Sequence, residues 1–112
     1  MILFCSYISA CITFHLFFVE RTRIVDVTSD QDVCEDTKVT LSCNATGKPE
    51  PNITWTRVWE NGTDSGALQS EDGCLVMDNI GKSSNGTYRC TALNGVGEPV
   101  NRTVKVIVRC IS

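Results

Sequence analysis

The sequence predicts an all-β fold, a sandwich of two antiparallel sheets with Greek-key connections, preceded by an apolar N-terminal segment. Three observations carry this. Thr37-Lys-Val-Thr-Leu-Ser-Cys43 alternates strictly: Val39, Leu41 and Cys43 point one way and Lys38, Thr40 and Ser42 the other, the period of a half-buried strand. Trp55 follows Cys43 by twelve positions and Tyr88 precedes Cys90 by two. That is the spacing of a sandwich whose facing sheets are joined by a disulfide with an indole packed on it. Clusters of Gly, Pro, Asn and Asp separate the remaining short apolar runs.

Residues 1–20 form a composition island rich in Ile, Leu and Phe, with no acidic or basic residue before Glu20. The segment reads as a secretory leader or a signal-anchor. No Lys or Arg opens it and small residues are scarce, so as a leader it is degraded. Ser6, Ser9, Thr13 and His15 interrupt it as a span, which needs about 20 apolar residues. An artefact of the gene model is the third reading. The folded domain is expected over residues 24–110.

Ile24 to Val33 suits two short strands, A and A′. Thr37 to Cys43 is strand B. Gly47-Lys-Pro-Glu-Pro51 is a turn, because its prolines cannot donate to a ladder. Ile53 to Arg57 is strand C, with Ile53 and Trp55 inward. Asn61-Gly62 marks a tight turn. Cys74 to Met77 is strand E, with Leu75 and Met77 inward and Ile80 closing the core behind them. Gly86 to Leu93 is strand F, with Tyr88, Cys90 and Ala92 inward. Asn94-Gly-Val-Gly97 turns the chain into strand G, Thr103 to Val108, with Val104, Val106 and Val108 inward. Little room is left between C and E for the two extra strands of a variable-type domain. Leu41, Trp55, Leu75 and Tyr88 are the expected centre of the core.

Val39-Thr-Leu-Ser-Cys43, Gly47-Lys-Pro-Glu-Pro-Asn-Ile-Thr-Trp55, Leu75-Val-Met-Asp-Asn-Ile80, Asn85-Gly-Thr-Tyr-Arg-Cys90 and Ala92-Leu-Asn-Gly-Val-Gly97 together resemble an I-set domain of the immunoglobulin superfamily. The likeness is to neural adhesion proteins of the neurotrimin, limbic system-associated membrane protein and hemicentin type, and covers about residues 25–108. It implies an immunoglobulin-like β-sandwich with a Cys43–Cys90 disulfide. It also implies that A′ and G run side by side in parallel, which would bring Cys34 and Cys110 together as a second bridge. Independent thiols, or pairing elsewhere, are the alternatives. Cys74 is left over on the solvent side of strand E, either as a covalent attachment point or as a neutral substitution. One position departs from the family: Asn85 stands where an Asp usually pairs with a basic residue across the bottom of the domain.

Seven cysteines in 112 residues point to an oxidising compartment. Metal binding is the rival reading. It is weak, because there is no C-x-x-C pair and the only histidine is His15. Neither a Ser-His-Asp nor a Cys-His arrangement can be built after that position, so catalysis is not expected. A net charge of −3 with scattered basic residues gives no nucleic-acid footprint, and no cofactor is expected. Five of the seven asparagines, Asn44, Asn52, Asn61, Asn85 and Asn101, sit in N-x-Thr sequons, used if the chain enters the secretory pathway. A Thr-rich β protein producing sequons by accident is the bland explanation.

A protein-binding patch is expected on the outward side of strands C, F and G, at Thr56, Val58, Arg89, Leu93, Lys105 and Ile107, with Trp59 as an exposed aromatic anchor. The opposite side carries Thr40, Ser42, Asn44, Val76 and Asp78, where a glycan on Asn44 would obstruct access. Ordinary solvated strand residues would look the same. The expected function is extracellular recognition in cell adhesion, as one unit of a larger receptor, through homophilic or heterophilic contacts with immunoglobulin domains. A membrane link would run only through the N-terminal segment or a part of the protein outside this chain. The alternative is a secreted single-domain protein acting in defence or as a receptor decoy.

Overall fold

The structure is a computed structural model and describes residues 19–110. The leader expected at residues 1–20 therefore lies outside the described residues except for Val19 and Glu20. Seven strands follow in order: β1 Glu20–Val27, β2 Gln31–Cys34, β3 Val39–Lys48, β4 Asn52–Val58, β5 Cys74–Met77, β6 Gly86–Leu93 and β7 Val100–Cys110. One sheet has the order β1-β3-β5 and the other β2-β7-β6-β4. Every pairing is antiparallel except β2 with β7.

The alternation in β3, β5, β6 and β7 decides which side of each strand is buried. Leu41, Trp55, Cys90, Ala92 and Val106 are fully buried, and Val39, Cys43, Leu75, Ile80, Tyr88, Val104 and Val108 nearly so. Ile53 and Met77 are half-buried against the same cluster. The Cys43–Cys90 bond joins the two sheets, with its Cα atoms 6.6 Å apart. The Trp55 indole N–H donates to the carbonyl of Gly73 at 2.9 Å. Burying an indole therefore leaves no unmet donor. The Tyr88 hydroxyl donates to the carbonyl of Ser84, four residues upstream, at 2.7 Å.

Strands β5 and β6 have the expected bounds. Four others run longer than expected, β4 by one residue at each end. Strand β1 begins at Glu20, four residues early. Strand β3 continues through the expected turn residues Gly47 and Lys48, because β1 pairs with it as far as Glu20↔Lys48. Strand β7 extends at both ends, because β6 pairs its start and β2 its finish. Between β4 and β5 no further strand forms. The chain there makes only isolated bridges, among them Trp55↔Leu68 and Val58↔Asp64. Among the described residues no helix is long and apolar enough to cross a membrane.

Candidate protein-binding face

Strand register turns the outward side chains of β4, β6 and β7 into rows. Val58, Thr87 and Lys105 form the first, Thr56, Arg89 and Thr103 the second, and Thr54, Thr91 and Asn101 the third; Asn52 and Leu93 form the last. All the expected patch residues on these strands thus share one face. Leu93 and Lys105 are exposed, and Thr56, Val58, Arg89 and Ile107 are partly covered. Asn52 lies directly beside Leu93, and Asn101 one row away. The Leu93 end of this face therefore carries sequons of its own, as does Asn44 on the opposite sheet. All five sequon asparagines are exposed.

The second row is roofed by a residue that strand patterning did not single out. Asp64, from the segment between β4 and β5, pairs with Arg89 at 2.8 Å and accepts from the Thr56 hydroxyl at 2.8 Å. An acidic residue in a polar turn gives no periodic signal, so only the folded chain reveals it. The pair is about a third exposed on both sides, where solvent screening keeps such bonds weak.

Trp59 stands at the first-row end, just past β4, and remains 48% exposed. The Arg57 guanidinium lies over its ring, 4.6 Å from the centroid, and 5.6 Å from that of Tyr88. Arg57 also donates to the carbonyls of Ser83 and Asn85, both at 2.7 Å. The side chain of Asn85 accepts from the Val108 N–H at 3.0 Å. With an amide at position 85, the arginine is held by main-chain oxygens instead of the family's carboxylate. Burial pushes the Tyr88 phenol above its ordinary pKa, and the Arg57 charge partly opposes the rise. Val58, Trp59, Asn85, Thr87, Lys105 and Ile107 border a groove of about 600 Å³ at this end.

The other described cysteines are Cys34, Cys74 and Cys110. The backbone register sets Cys34 opposite Cys110 where β2 ends against β7. Cys74 is a free, half-buried thiol on β5. The described residues hold no cluster of three or more His, Cys, Asp or Glu side chains able to hold a metal.

A family model described as immunoglobulin domain matches residues 23–94. The chain belongs to the immunoglobulin domain family. Among curated proteins, the peroxidasin homolog of Mus musculus is 38% identical over 88 residues, 76% of this chain and 6% of that protein. A chain in the crystal structure of Dpr2 Ig1-Ig2 in complex with DIP-Theta Ig1-Ig3 is 33% identical, with a TM-score of 0.69 over 80% of this chain and 32% of that one. The N-terminal eight immunoglobulin domains of Down syndrome cell adhesion molecule are 27% identical, with a TM-score of 0.72 over 82% of this chain and 13% of that one. The chain therefore spans a small part of the relatives it matches. Its likeness is to single immunoglobulin domains within them.

Proposed function

We propose that this immunoglobulin domain is an extracellular protein-binding module of I-set type, one unit of a larger cell-surface adhesion receptor. The observation that carries the reading is the ordered outward face of β4, β6 and β7. Polar, basic and apolar side chains stand there in register over a disulfide-pinned core. Similarity to domains from a Dpr–DIP complex and from an adhesion molecule supports a protein partner. A cross-sheet disulfide belongs to an oxidising compartment, and five exposed sequons agree with one.

Expression in a secretory host tests this. The secreted chain is measured for self-association by sedimentation, and for binding to a panel of soluble immunoglobulin ectodomains. Thr56→Arg and Arg89→Gln, on the proposed face, should weaken the contact about 10-fold or more. Val25→Asp and Val76→Asp, on the other sheet, should leave it unchanged. Equal effects from both pairs would reject the face. Binding neither to itself nor to any ectodomain would reject the adhesion reading.

A further inference from the structure

Sequons Asn44 and Asn52 border a second groove of about 430 Å³, but no aromatic ring lines it. The groove at Asn85 differs. Trp59 forms one wall, with its ring orientation supported by Arg57. Arg57 in turn is tied to the carbonyl of the sequon residue itself. The Asn85 amide is also oriented, because its Oδ1 accepts from the Val108 N–H at 3.0 Å. Planarity of the amide then fixes where Nδ2 points. Glycosylation replaces a hydrogen on Nδ2 and leaves Oδ1 free to keep that bond.

We propose that the groove between Trp59 and Asn85 is the seat of the first N-acetylglucosamine of a glycan attached to Asn85. This rests on the reading that the chain passes through the secretory pathway. Attachment forms a bond from sugar C1 to Asn85 Nδ2. The Nδ2 proton leaves, and the C1–O bond to the lipid pyrophosphate donor of that pathway breaks. A pyranose ring has an apolar C–H face and polar edges. The indole of Trp59 suits the first, while the Lys105 ammonium suits a hydroxyl or acetyl oxygen. Val58 and Ile107 offer apolar surface to the acetyl methyl. The groove lies within the ~300–1,000 Å³ range of small-ligand sites. Trp59 is then a platform for the chain's own sugar, and the partner face narrows to the rows beside it.

The test uses the full chain from a secretory host, with site occupancy mapped by mass spectrometry. Endoglycosidase trimming leaves one N-acetylglucosamine per site, and Thr87→Ala identifies the Asn85 signal. The ring protons on the C–H face of that sugar should be shifted upfield by the indole ring and should return to the position of the other sites in Trp59→Ala. On the untrimmed native protein, amidase release at Asn85 should be about 10-fold slower than at Asn101, and equal to it in Trp59→Ala. Unshifted ring protons with equal release overturn the proposal. So does an empty Asn85 beside occupied sequons, which leaves the secretory reading standing. Empty sequons throughout would overturn both.

Discussion

The carbonyl of Gly73 accepts from the backbone N–H of Cys43 at 3.0 Å and from the indole of Trp55 at 2.9 Å. It thus connects the disulfide, the indole and the segment leading into β5. Gly73 has φ +78°, and a Cβ there would lie 2.5 Å from the Cys43 carbonyl oxygen, so both backbone conformation and space require glycine. Gly73→Ala should cost about 1–3 kcal/mol in urea unfolding. Trp55→Ala should cost ~3–5 kcal/mol, and Trp55→Phe less, because it keeps much of the ring and the Gly73 carbonyl keeps its bond from the Cys43 N–H. Tyr88 makes stability depend on alkaline pH. Its folded pKa lies above its unfolded value of about 10, so its contribution is whole below that pH and is lost as pH rises through the folded pKa. The melting temperature should therefore fall more steeply above pH ~10 in the parent chain than in Tyr88→Phe. Both are measured in the Cys74→Ser background, which removes the free thiol found among the described residues and its exchange with the disulfide.

Strands β5 and β6 were legible in the sequence to the residue: Tyr88, Cys90 and Ala92 alternate with Thr87, Arg89 and Thr91, and Cys74 to Met77 is a short apolar run bounded by Gly73 and Asp78. Strand β1 was not. Its first four residues are Glu20, Arg21, Thr22 and Arg23, and only Thr22 is buried, so no apolar period announces it. The far end of β3 was read as turn from Pro49 and Pro51, yet a long-range contact keeps it in the sheet. Asn94 donates to the carbonyls of Glu20 at 2.7 Å and Pro49 at 3.0 Å, and accepts from Val96 N–H at 3.0 Å. Gly47 lies beneath it, where a Cβ would come 2.7 Å from Asn94 Nδ2. Asn94→Ala breaks this clasp and should cost ~1–3 kcal/mol in thermal unfolding. At the opposite end, the register of β2 with β7 sets Cys34 against Cys110, and we propose the Cys34–Cys110 bridge there. Peptide mapping without reduction should recover both linked pairs, 34 with 110 and 43 with 90. Cys34 linked to another cysteine would reject the pairing.

Across the whole molecule the sandwich and its core could be read from spacing and alternation, whereas the surface could not. Which sequons neighbour the proposed face depends on register between strands far apart in sequence. Leu93 illustrates the consequence. It is 45% exposed, directly beside Asn52 and one row from Asn101. An exposed leucine there offers apolar surface to a second copy. Glycans on both sides would cover it while leaving the row of Thr56 and Arg89 open. Asn52→Gln with Asn101→Gln removes both glycans and keeps the amides. The doubly substituted secreted chain should then self-associate more strongly by sedimentation, and Leu93→Ser in the same background should reverse the gain. Stronger association that persists after Leu93→Ser would place the contact elsewhere. No change on removing the glycans would mean that the leucine was never the surface they protect.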